Sequence, residues 1–144
     1  MTEPSHCLVS FRGLEAPAWV LEALRDGRVP GVCLFAFNFR DLGQFQALTA
    51  SLHEAAREGG QPPPLVAIDQ EGGQLMAVGG GATELPGNMA LGATRSPALA
   101  RTAGRILGAE LAALGVNVNL APVLDLATRP ANPVVGLRSF GDDP

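Results

Sequence analysis

Four short aliphatic runs, Cys7 to Phe11, Gly31 to Phe37, Leu65 to Ile68 and Val116 to Ala121, are separated by longer stretches with apolar residues at helical spacing. This alternation constrains the fold more than any other feature of the chain. Strand–helix–strand units close into a parallel sheet with right-handed crossovers, and Gly31 to Phe37 is rich in residues that suit a strand buried on both faces. The order reads strand, helix, strand, helix, strand, a long loop with a helix, strand.

The helical stretches carry their own start and stop signals. Ala16, Trp19, Val20, Ala23 and Leu24 share one face, and Gly27 follows where a left-handed C-terminal residue is expected. Asp41 precedes a second stripe from Leu42 to Ala56, with Gln44 three residues on as in a capping box, and Gly59-Gly60 ends it. Ser96-Pro97 opens a third, whose stripe of Leu99, Ala103, Ile106, Leu107, Leu111 and Leu114 runs to Gly115. Four strands with their helices make half of an eight-stranded barrel, whose usual length is about 250 residues. The expected fold class is therefore α/β, the first half of a (β/α)8 barrel with parallel strands, truncated within its 144 residues.

Composition narrows the function. Aromatics are 5% with no Tyr, so aliphatic side chains must fill the core, and a net charge of −4 leaves no basic patch for a nucleic-acid partner. No apolar run approaches the roughly 20 residues of a membrane span, and no leader pattern opens the chain, so a cytoplasmic location without membrane attachment is expected. Cys7 and Cys33 fall in apolar runs and read as buried small hydrophobes.

The chemistry concentrates at two places. In Pro64 to Gly73 an apolar strand turns polar at its end, as Asp69-Gln70-Glu71, before two glycines, and in parallel β/α folds that end is where sites form. Were the strand to continue, Asp69 and Glu71 would point the same way. Glycoside hydrolysis needs carboxyls on opposite sides of the scissile bond, so one of them is better read as a binding group. The plainer alternative is that Asp69 caps the loop and Glu71 pairs with an arginine. After the fourth strand come Asn117 and Asn119, read as internal hydrogen-bonding amides, then Asp125 and a loop bearing Arg138. A guanidinium there suits vicinal hydroxyls or a carboxylate, with a salt bridge as the simpler reading. Gly79 to Gly81 lacks the spacing of a phosphate loop and reads as flexible, and His6 and His53 have no partners at metal-ligand spacing.

The segments GVCLFAFNF (31 to 39), PLVAIDQEGGQL (64 to 75), LPGNMALGAT (85 to 94), GAELAALGVNVNLAPVLDL (108 to 126) and NPVVGLRSFGDDP (132 to 144) together resemble glycoside hydrolase family 3, in particular its bacterial β-N-acetylhexosaminidase branch. The resemblance implies that residues 1–144 are the N-terminal portion of the family's catalytic barrel. It implies further that Asp69 accepts hydrogen bonds from hydroxyls of a bound N-acetylglucosamine-containing carbohydrate and that Arg138 contacts the same sugar. In the family the nucleophile and the His/Asp acid/base lie further along the barrel, the mechanism is retaining, and neither metal nor organic cofactor takes part. No residue of this chain is thus expected to be catalytic. Gln74 stands where the family commonly has arginine; if that position normally pairs with a nearby carboxylate such as Glu71, the local ion pair is missing here and substrate preference or fold support differs. Two other readings fit the residues: a non-catalytic sugar-binding or relic half-barrel, and a metal-dependent barrel enzyme using Asp69, Glu71 and Asp125.

Overall fold

In chain order the elements are α1 (Ala18–Arg25), β1 (Gly31–Leu34), α2 (Leu42–Glu58), β2 (Leu65–Ile68), β3 (Gln70–Gly72), β4 (Leu75–Met76), α3 (Asn88–Ala93), α4 (Pro97–Ala113) and β5 (Val118–Asn119). Short 3-10 turns occupy Ala36–Asn38 and Gly136–Arg138. The computed structural model describes residues 5–129 and 131–143. The expected alternation is present, and the main sheet is parallel throughout in the order β1, β2, β5. The first apolar run contributes a single parallel bridge: the Val9 amide donates to Gly31 O at 3.2 Å, and its carbonyl accepts from Cys33 N at 2.8 Å. Spatial order therefore follows chain order, as in successive strands of a β/α barrel.

The sheet register sorts the side chains into two faces. Val32 pairs with Val66 and Leu34 with Ile68, and these four wholly buried residues meet Val20 and Leu24 of α1, Phe45, Leu48 and Leu52 of α2, and Leu111 of α4. Each such burial contributes about 1.5–3 kcal/mol. The opposite face carries Cys33, Ala67 and Val118 in register, and there Leu65 is 44% exposed. The helical stripes are wider than the sheet covers, since Trp19 of α1 and Leu99 of α4 are exposed.

All three long helices end in the same way. Arg28 N donates to Ala23 O after α1, Gln61 N to Ala56 O after α2, and Val116 N to Leu111 O after α4, each at 2.8–3.0 Å and each across a positive-φ glycine, Gly27, Gly60 or Gly115. This six-to-one bond satisfies carbonyls that a helix end otherwise orphans. At the start of α2 the Asp41 carboxylate accepts from Gln44 N at 2.8 Å, but Gln44 Oε1 reaches back to Arg40 N at 2.9 Å, one residue beyond the reciprocal arm of a capping box.

The α2 helix also holds the end of α4. Gln46 Nε2 donates to Ala113 O at 3.0 Å, Thr49 Oγ1 to Leu114 O at 2.7 Å, and His53 Nε2 lies 2.8 Å from Gly115 O. Because a carbonyl only accepts, His53 presents its Nε2–H, and its role is structural. The cysteines depart from expectation. Cys7 is exposed, its run meeting the sheet through the Val9 bridge, and Cys33 is half-buried on the less covered sheet face, where burial and then the Asp69 charge push its thiol pKa up.

Glu110 on α4 anchors the loop before α3, accepting from Thr83 N at 2.9 Å and from the Thr83 hydroxyl. These two bonds, hydroxyl first, hold the Glu110 carboxyl below its usual range. A carboxyl depressed by folding adds stability above its unfolded pKa and loses it as pH falls through the lower folded value. Thr83→Val should therefore destabilise at pH 7 by about 1 kcal/mol. Urea midpoints of variant and parent should converge as pH drops below the carboxylate range; a gap constant with pH would exclude this origin.

Candidate functional site

The polar end of β2 is not a continuation of the strand. The chain leaves the parallel sheet at Asp69 and turns into an antiparallel hairpin of β3 and β4, with a register shift between Gln70 and Gly72. Asp69 and Glu71 consequently do not extend one strand face, contrary to the simplest reading of their spacing. Two side-chain amides, half-buried Asn119 and buried Gln70, fix this departure. Asn119 bonds the Gln70 backbone from both sides, Oδ1 accepting from Gln70 N and Nδ2 donating to Gln70 O, each at 3.0 Å. The Gln70 side chain, 1% exposed, closes the hairpin through Val78 O at 2.9 Å and Val78 N at 3.0 Å.

The hairpin turn packs against the loop before α3 at backbone contact distance. Gly73 sits at φ +61°, and a Cβ added there would lie 2.9 Å from Gly87 Cα, so two glycines meet where no side chain fits.

Glu71, with a side chain 2% exposed, forms an ion pair with Arg138. Arg138 Nε donates to both carboxylate oxygens at 3.0 and 3.1 Å, and Nη2 donates to Oε1 at 2.6 Å. The plainer of the two readings of Glu71 thus holds, and its ion pair is not missing: Arg138 supplies it from 67 residues away, whatever stands at position 74. Gln74 itself lies exposed at the hairpin turn.

Arg138 is held at its backbone as well as its tip. Asn88, at the start of α3 and 4% exposed, donates to Arg138 O at 2.8 Å. Fully buried Ser139 donates to Asp125 O at 2.6 Å and accepts from Gly141 N at 3.2 Å, tying the loop to the segment that follows β5. Neither residue stands out in the sequence: Asn88 follows Gly87 at a loop junction, a weak signal, and Ser139 lies between Arg138 and Phe140 with none.

Asp69 and Arg138 therefore lie at the same, C-terminal end of the parallel strands. They do not pair with each other. The Glu71 hydrogen bonds raise the Arg138 pKa above its ordinary value against the effect of burial, and the charges of Glu71, Asp69 and Asp125 add to it. Asp69 is half-buried, and its carboxylate makes no hydrogen bond among the described residues. Of the five N–H groups of Arg138, one on Nη1 goes to Val134 O at 3.2 Å and two go to Glu71, leaving two without a protein partner among the described residues. An acceptor and two donors without protein partners among the described residues thus lie at the same end of the strands.

Larger hollows lie nearby. One of about 750 Å³ is lined by Met89, Arg95, Arg129, Leu137 and Phe140 among others, but by neither Asp69 nor Arg138. Among the described residues no group of three or more His, Cys, Asp or Glu side chains is placed to hold a metal ion, and Glu71 is already committed to Arg138.

A family model described as glycosyl hydrolase family 3 N terminal domain matches residues 10–144. A β-hexosaminidase A from Pseudoalteromonas piscicida is 40% identical over 133 residues, 89% of this chain and 22% of that protein. A β-hexosaminidase from Actinobacillus pleuropneumoniae serotype 5b is 34% identical over 142 residues, 95% of this chain and 39% of that one. Among solved structures, a family 3 β-N-acetylglucosaminidase from Paenibacillus superposes with a TM-score of 0.88 at 42% identity, covering 93% of this chain and 26% of its own. NagZ from Neisseria gonorrhoeae in complex with N-trifluoroacetyl-D-glucosamine superposes with a TM-score of 0.79 at 28% identity, over 98% and 41% respectively. The chain spans well under half the length of each of these proteins. Sequence and architecture together place the chain in glycosyl hydrolase family 3, as an N-terminal part of the family's barrel domain.

Proposed function

We propose that this chain carries part of the sugar site of a retaining β-N-acetylhexosaminidase, whose full-length parent hydrolyses terminal β-linked N-acetylglucosamine. The observation that carries the reading is the presence of unused groups at one end of the strands: the Asp69 carboxylate, without a hydrogen bond among the described residues, and the two N–H groups of Arg138 that neither Glu71 nor Val134 takes. Neighbouring ring hydroxyls both donate and accept, so an acceptor beside a donor pair is the complement they require. Relatives that are β-hexosaminidases support the substrate class. In this division of labour Asp69 and Arg138 bind and orient the sugar. The nucleophile and acid/base belong to the remainder of the parent, so the chain alone is expected to show no turnover of a chromogenic N-acetylglucosaminide.

Titration of the isotopically labelled chain with N-acetylglucosamine, followed by amide chemical shifts, tests the site. Shifts should centre on Asp69 to Gly73 and Val134 to Ser139. Asp69→Asn keeps the shape but removes the charge, and should weaken binding about tenfold or more, the worth of a hydrogen bond to a charged group. Unchanged affinity in a folded Asp69→Asn chain would remove Asp69 from the site.

A further inference from the structure

We propose that Glu71 is a positioning residue for the sugar site: it fixes the plane of the Arg138 guanidinium so that the hydrogens left unused on Nη1 and Nη2 stay open to the rim shared with Asp69. The inference rests on the sugar-binding reading above and adds a residue to it that touches no ligand itself.

The geometry makes the case from the donor count. A guanidinium is a flat fork, and its orientation is set once two donors on one edge are taken. Glu71 takes that edge through Nε and Nη2, and Val134 O takes one hydrogen of Nη1. The unused hydrogens sit on Nη1 and Nη2. Glu71 takes neither of these hydrogens, and the Arg138 side chain as a whole is 29% exposed.

Glu71 suits the task because it is itself immobilised. Its side chain is 2% exposed, and its backbone lies between the hairpin pairs Gln70–Met76 and Gly72–Leu75. It also determines which carboxylate stays free. With Arg138 bound by Glu71, Asp69 keeps both oxygens for a ligand, although its charge acts on the same guanidinium. Without Glu71 the arginine would turn toward Asp69, the acceptor and the donors would satisfy each other, and the rim would lose both.

The Arg138 side-chain Nε–Hε resonance reads the arrangement directly, and sugar affinity reads its consequence. In the unaltered chain this proton should exchange slowly with water and lie downfield of a solvated arginine. Glu71→Gln keeps the volume but offers one acceptor and one N–H₂ group to two donors; it should abolish the slow exchange and lower affinity for N-acetylglucosamine about tenfold. Glu71→Asp, with the charge kept and the reach shortened, should fall between. Asp69→Asn should weaken sugar binding about tenfold or more while retaining the protected Hε, which separates the two residues' roles. Folded Glu71 variants that bind sugar as the parent does would overturn the positioning role and leave the sugar site standing. So would a parental Hε that exchanges as in a free arginine, a result that needs no variant to fold. A parent chain that binds no sugar would instead remove the sugar site and the inference with it.

Discussion

Arg138→Met is expected to destabilise the chain by about 3 kcal/mol, because it leaves a buried carboxylate without its counter-charge. The Glu71 side chain is 2% exposed, so water cannot replace the guanidinium without opening the hairpin. The double variant Glu71→Gln with Arg138→Met should be the more stable of the two, since an abandoned amide costs less to bury than an abandoned charge. Urea unfolding of parent, both single variants and the double variant, at equal slope, gives the coupling energy directly. A coupling of about 0.5 kcal/mol or less would class the pair with surface ion pairs such as Arg25–Glu58, whose two side chains are 42% and 48% exposed, and would contradict its enclosure.

Phe45→Ala should cost about 3–5 kcal/mol, the range for truncating a fully enclosed aromatic. Phe45 has no exposed surface, packs in the core from the first turn of α2, and meets the Phe39 ring edge-on at a centroid distance of 5.9 Å. A small domain's whole stability is about 5–15 kcal/mol, so the variant should unfold at markedly lower urea or temperature. Trp19→Ala is the internal control. Trp19 is larger but 49% exposed on α1, and its loss should change stability by about 0.5 kcal/mol. Comparable losses at both positions would mean that α1 is covered in solution on the side that carries Trp19.

The helices were legible because their signals are local. Asp41, Ser96 and the glycines at 27, 60 and 115 each act within a few residues of themselves, and all operate as their positions suggest. Strand positions were legible from aliphatic runs, but strand lengths were not. Cys7 to Phe11 looks like a strand yet makes one bridge, and Gly31 to Phe37 leaves the sheet at Leu34 for a 3-10 turn. How far a run stays paired depends on its neighbour, which a sequence window does not contain. The same limit applies at the site. Position identified Asp69 and Arg138 as lying at the ends of strands and loops. The bond joining Arg138 to Glu71 spans 67 residues, and it gives Glu71 a role that periodicity alone assigned only as an alternative. Gln74 misled for the same reason, since the cation that meets Glu71 comes from a distant loop and not from the next turn.

The two amides flanking Val118 act as an index for the fourth strand. Asn117 accepts from Val66 N and donates to Pro64 O, both at 2.8 Å, while Asn119 does the same to Gln70 at 3.0 Å. They extend the paired length of β5 along β2 with side chains that imitate peptide groups. Sliding β5 by one position would sever all four bonds together and swing Val118 off its partner Ala67. Misaligned pairings are thus penalised in one step, and a segment too brief to specify its own alignment by hydrophobic patterning acquires a single permitted setting.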